Sequence, residues 1–72
     1  MNTSYLFLAT GFEEIEALAT VDIMRRAGMD IKTVSITGNK IVRGAHGVAV
    51  EADCLFEQTD FITPEWLICP GG

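Results

Sequence analysis

Tyr5-Leu6-Phe7-Leu8-Ala9-Thr10-Gly11-Phe12-Glu13-Glu14-Ile15-Glu16 is the stretch that decides the fold. Its first half, Tyr5 to Ala9, is a continuous apolar run between Ser4 and Thr10-Gly11, the pattern of a strand buried on both faces in a parallel sheet. The signals then change. Thr10 and Glu13 stand at capping-box spacing, and Glu13, Glu14 and Glu16 place acid where a helix dipole favours it, which predicts a helix beginning near Phe12 or Glu13.

Working outward, Arg25 and Arg26 suit a last helical turn, and Gly28 supplies a residue able to take the left-handed conformation that ends a helix. Asp30 to Ile36, with Ile31, Thr33, Val34 and Ile36, predicts a second strand, so that strand, helix and strand form a βαβ unit. Ile41 to Val42 and Val48 to Val50, separated by Gly44 and Gly47, predict a small β-hairpin near an edge. Cys54 to Phe61 is polar with Leu55, Phe56 and Phe61 as anchors, a possible turn of helix. Trp66 to Cys69 predicts a further buried strand, closed by Pro70-Gly71-Gly72. Strands buried on both faces need helices on both sides, and this chain offers one convincing helix for three apolar strands. The expectation is an α/β fold of which residues 1–72 form the N-terminal part of a single domain, with the C-terminal part supplied from elsewhere.

Composition narrows the function. The chain is 72 residues long with 49% hydrophobic residues, more than a domain of that size readily covers. Its longest apolar runs fall far short of the roughly 20 residues that span a bilayer, so no membrane partner is expected. Ten acidic residues against five basic give a net charge of −5, and Arg25, Arg26, Lys32, Lys40 and Arg43 form no long run, which disfavours nucleic acid. Met1-Asn2-Thr3-Ser4 carries no basic cluster and no cleavage pattern follows, which makes the cytoplasm the expected compartment. Cys54 and Cys69 show neither metal-site nor C-x-x-C spacing, so reduced thiols and no metal are expected.

Projected at steps of about 100°, Ala17, Val21, Ile23, Met24 and Ala27 share a broad face that should meet the sheet. The opposite face carries Ile15, Leu18, Asp22 and Arg26. Single exposed aliphatics are ordinary, but an apolar pair continued by an acid and a base suits a two-fold homodimer interface in which acid faces base across the copies.

Ligands of open parallel sheets bind beyond the carboxyl ends of the strands, which brings forward Thr10 to Glu16 and Pro70 to Gly72 as loops that could share a site. The backbone N–H groups of Gly71 and Gly72 could receive an oxyanion, although a plain strand-ending turn has the same composition. Glu16 lies at the border of the sheet-facing side. Partly buried there, it could donate a hydrogen bond to a neighbouring thiolate; the plain reading is a surface glutamate compensating the dipole. His46, flanked by a glycine and without an evident partner, reads as an exposed loop residue, and Cys69 as an inert buried thiol.

Three segments, Gly11-Phe12-Glu13-Glu14-Ile15-Glu16, Asp22-Ile23-Met24-Arg25-Arg26-Ala27-Gly28 and Leu67-Ile68-Cys69-Pro70-Gly71-Gly72, together resemble the ThiJ/PfpI family of the glutamine-amidotransferase-like superfamily. His46-Gly47-Val48 and Ala52-Asp53 look like that family's hairpin region. The resemblance implies a flavodoxin-like three-layer sandwich and a homodimer. It also implies that Glu16 supports a nucleophilic cysteine on a strand-to-helix elbow further along, usually with a histidine nearby, while Gly71 and Gly72 line an oxyanion pocket. Neither Cys54 nor Cys69 matches the elbow. The implied activity is cysteine-dependent chemistry on a small carbonyl or acyl substrate, deglycase-, glyoxalase- or amidase-like, without a cofactor; the alternative is a non-enzymatic oxidative-stress sensor or chaperone. A phosphoacceptor signalling domain would want an aspartate at the end of a later strand, where this chain has Cys69-Pro70-Gly71.

Overall fold

The structure, a computed structural model, describes residues 2–72. Strands β1 (Ser4–Leu8), β2 (Ile31–Ser35), β5 (Cys54–Leu55) and β6 (Leu67–Ile68) form a parallel sheet in the order β5-β2-β1-β6. The helix α1 (Glu14–Arg26) makes the crossover from β1 to β2, so the expected βαβ unit is present. Strands β3 (Ile41–Arg43) and β4 (Ala49–Glu51) pair antiparallel in a sheet of their own rather than at an edge of the main one. The segment from Cys54 to Phe61, expected to hold a turn of helix, contains β5 and then a single 3₁₀ turn at Phe56–Gln58.

Alternation along β1 and β2 sorts the residues onto two faces. Leu6, Leu8 and Ile31 face α1 and join Phe12, Ala17, Val21, Val42 and Ala52 in the core. Leu6, Leu8 and Ala17 are completely buried, and each such leucine contributes roughly 1.5–3 kcal/mol. The other face is aromatic. Tyr5 and Phe61 stack edge to face with ring centroids 4.8 Å apart, and Phe56 lies 5.2 Å from Phe61. Phe56 and Phe61 of the 56–61 segment pack on this face, and Phe56 remains 49% exposed.

Both ends of α1 are closed by specific bonds. The N-cap is Glu13, whose side chain accepts the Ile15 N–H; Thr10 is not part of the cap, and the helix starts one residue beyond it. At the other end Gly28 N–H donates to Arg25 O and Met29 N–H to Met24 O, the paired bonds of a Schellman motif, with Gly28 at φ +80°. The buried stripe of the helix is narrower than expected: Glu14, Ala17 and Val21 are buried and Met24 is half-buried, while Ile23 is 65% exposed and Ala27 is exposed. Ile23 lies about 200° from Val21 on the helix, so it belongs with Ile15 and Leu18 on the outward side. Asp22 and Arg26 do not wait for a second copy; they pair with each other within the helix at 3.0 Å.

Candidate functional site

Strands β1 and β6 run side by side in parallel, so the loops at their carboxyl ends emerge together. The first turn of α1 and the Pro70–Gly72 loop therefore meet. Glu13 N–H donates to Gly71 O, and Gly71 N–H donates to Glu16 Oε1 at 3.0 Å. In an ordinary capping box the third helical residue would accept the N-cap N–H directly. Here Gly71 stands between the two, its carbonyl accepting the N-cap N–H and its own N–H donating to Glu16 Oε1.

The two glycines fit closely. A Cβ on Gly72 would lie 2.6 Å from Gly11 O, a backbone atom that cannot swing aside, and one on Gly71 would lie 3.1 Å from Glu16 Oε1. The two loops brought forward as candidates are in direct contact. Two details differ from the expectation. Glu16 is exposed rather than partly buried: the hairpin covers the Glu14 side of the first turn, and Glu16 meets only the glycine loop. Its Oε1 also occupies the Gly71 N–H, which leaves the Gly72 N–H as the loop's other donor for an anion. Cys69 is exposed rather than buried, since β6, which it follows, is the edge strand of the sheet among the described residues.

Sequence reasoning missed Glu14. Its residue is 6% exposed. Oε2 accepts the backbone N–H groups of His46 at 2.7 Å and Val48 at 3.3 Å, and Oε1 lies 2.9 Å from His46 Nδ1. Burial would raise the Glu14 pKa, but the His46 ring and the surrounding N–H groups prevail and hold it at about 2. The same contact, reinforced by Glu13, raises the pKa of His46. His46 is thus exposed as expected, but it has a partner. Gly44 explains the fit: a Cβ there would lie 2.4 Å from the Glu14 carboxyl carbon. The signal in the sequence was Gly44, which leaves room for a carboxylate from another element, in a tip turned at Gly47, whose φ is +82°.

Glu13, Glu14 and His46 bring three ligand atoms within 4.8 Å of one another. Both Glu14 oxygens are engaged by the hairpin and Glu13 caps the helix, so hairpin docking accounts for the cluster. An open cleft of about 500 Å³ lies elsewhere, beside the outer edge of β2, and is lined by Arg25, Lys32, Asp53 and Cys54 among others. Arg25 is committed there to Asp53 and to the Ile31 carbonyl.

The chain is thus part of a parallel α/β sheet protein, with the Glu16–Gly71 contact at the carboxyl ends of two adjacent strands. The DJ-1/PfpI family model matches residues 3–72, and the chain belongs to that family. The oxidised DJ-1 of Toxoplasma gondii superposes with a TM-score of 0.94 at 35% identity, covering 100% of this chain and 39% of that one. A DJ-1 superfamily protein of Salmonella typhimurium superposes with a TM-score of 0.93 at 32% identity, again over 100% of this chain and 39% of the other. Among curated relatives, the Parkinson disease protein 7 homolog of Danio rerio is 32% identical over 68 residues, 93% of this chain and 36% of the relative. Protein DJ-1 homolog A of Arabidopsis thaliana is 31% identical over 65 residues, 90% of this chain and 17% of the relative. The chain therefore spans little more than a third of the zebrafish relative and less of the plant one. No helix among the described residues is long and apolar enough to cross a membrane.

Proposed function

We propose that residues 1–72 are the N-terminal part of a single-domain, thiolate-dependent protein that acts on a small carbonyl or acyl compound in the cytoplasm. The observation that carries this reading is the bond from Gly71 N–H to Glu16 Oε1, which joins residues 55 apart in sequence at the carboxyl ends of β1 and β6. Glu16 has its second oxygen free to bond a thiol group brought by the remainder of the domain. The thiolate would attack the carbonyl carbon, the carbonyl π pair would move to oxygen, and the Gly72 N–H would hold the developing charge. The reading assigns the nucleophile to neither Cys54 nor Cys69.

The outward face of α1, with Ile15 77% and Leu18 41% exposed beside the Asp22–Arg26 pair, supports a homodimer in which this helix meets its twin. An oxidative-stress sensor is the second reading, favoured by the match to an oxidised DJ-1. Turnover of a reactive dicarbonyl by the full-length protein separates the two. The enzyme reading expects turnover that falls at least about tenfold in Glu16→Gln; stoichiometric oxidation of one cysteine without turnover favours the sensor.

A further inference from the structure

Residues Gly11 to Glu16 are held from two sides. On one side Gly71 bonds Glu13 and Glu16. On the other, the tip of the β3–β4 hairpin bonds the same segment: Gly11 N–H donates to Arg43 O at 2.9 Å and Ala45 N–H to Phe12 O at 2.8 Å. The Glu14 carboxylate reaches into that tip and gathers the N–H groups of His46 and Val48 together with the His46 ring. Two residues further along the same first turn, the Glu16 carboxylate meets Gly71. A hairpin fastened through Glu14 therefore forms the rear support of the loop whose front carries Glu16.

We propose that Glu14 is a positioning residue for the Glu16–Gly71 site, fastening the hairpin tip through His46 so that the β1–α1 loop holds Glu16 against the glycine loop. This inference rests on the reading that Glu16 and Gly71 form the site. His46 gives the fastening an exposed handle, because its side chain is 70% exposed while Glu14 is buried. The charged groups that act on the imidazole are Glu14 in the first turn of α1 and Glu13 at its N-cap; on the hairpin itself the Arg43 Nη1 is turned to Gly47 O at 2.7 Å. Loss of the His46 proton removes the charge from one partner and weakens the hold without removing the hairpin.

The test is ¹⁵N-resolved NMR of the full-length protein, following the Gly71 amide from about pH 5.5 to 8.5, the range in which a histidine changes charge. In the wild type, the Gly71 and His46 amide shifts are expected to move with one midpoint. In His46→Gln the Gly71 titration should vanish while the remaining spectrum stays folded. Glu14→Ala should speed exchange of the Gly71 amide about tenfold, and Glu14→Gln, which keeps an acceptor for the two N–H groups, should recover part of that protection. A Gly71 amide that ignores both the His46 titration and Glu14→Ala, while the His46 and Val48 amides respond, would overturn the proposal. Should Glu14→Ala fail to fold, His46→Gln decides alone. None of these readouts uses activity, so failure of the site reading, seen as full turnover in Glu16→Gln, is a separate result.

Discussion

Glu14, where α1 meets the hairpin, and Asp53, on the outer edge of β2, solve the same problem in different ways. Each carboxylate engages three hydrogen-bonding groups from a distant segment. Glu14 takes His46 N, Val48 N and His46 Nδ1; Asp53 takes Thr33 N, Thr33 Oγ1 and Arg25 Nη2. Asp53 also closes an exposed sheet edge, since β5 pairs only with Val34 and Ser35 and its side chain takes up the Thr33 N–H that no strand reaches. Burial would raise the Asp53 pKa, but the Thr33 donors and the Arg25 guanidinium outweigh it and lower it. The partners make the difference. A guanidinium is charged at every physiological pH, whereas an imidazole is not. One fastening is permanent and the other can be loosened, and the loosenable one lies beside the candidate site.

The largest effect is expected from crowding the Glu14 fastening. Gly44→Ala should cost about 1–3 kcal/mol in chemical denaturation, because the new methyl displaces a carboxyl group held by three bonds. In a Glu14→Ala background the same change should cost much less, since the group it meets is gone; additive costs would deny that Glu14 fills this space. Asp53→Ala, which strands the Thr33 N–H, should also destabilise by about 1–3 kcal/mol, and Asp53→Asn by less because an amide oxygen still accepts from Thr33. Equal losses for Ala and Asn would mean that only the charge matters at that edge.

The pH dependence sharpens the contrast. Glu14 has a folded pKa below its ordinary 4.5, so its contribution is present above that value and is lost as pH falls toward about 2. His46 has a raised folded pKa, so its contribution is complete below 6.5 and is lost as pH rises through the folded value. The pair is strongest between 4.5 and 6.5. Asp53 has only the acid limb, with stability present above 3.8 and lost as pH falls through its lowered pKa. Hydrogen exchange corrected for intrinsic rate should show Val48 protection declining above neutrality while Thr33 protection stays flat; parallel declines would remove the distinction. The smallest effect belongs to Arg26→Ala, about 0.3–0.5 kcal/mol for an exposed helical pair. A larger change in dimer dissociation than in subunit stability, measured by sedimentation, would support a role of this face between copies.

The two fastenings also show what the sequence made legible. Periodicity and helix-stop chemistry sufficed for the βαβ unit and for Gly28, because these depend on neighbours in the chain. The meeting of Glu16 with Gly71 followed from the parallel-sheet rule that adjacent strands deliver their following loops to one edge. Glu14 was hidden among three acids that one dipole argument covers equally, and only the hairpin, 32 residues away, selects it for burial. Asp53 was invisible for the same reason. Ile23 and Cys69 were expected inside because an apolar residue gives no sign of which cover is present over its face.

Thiol reactivity in the full-length protein tests the central claim, that Glu16 serves a thiolate at the glycine loop, most directly. The measurement is the rate of alkylation of each cysteine against pH, with the modified peptide identified by mass, in the wild type and in Glu16→Gln. The account predicts one cysteine, neither Cys54 nor Cys69, that reacts with a midpoint well below the ordinary thiol value of about 8.5 and whose profile shifts by about one unit or more in the variant. An unshifted profile, or a fast-reacting thiol that proves to be Cys54 or Cys69, would contradict it.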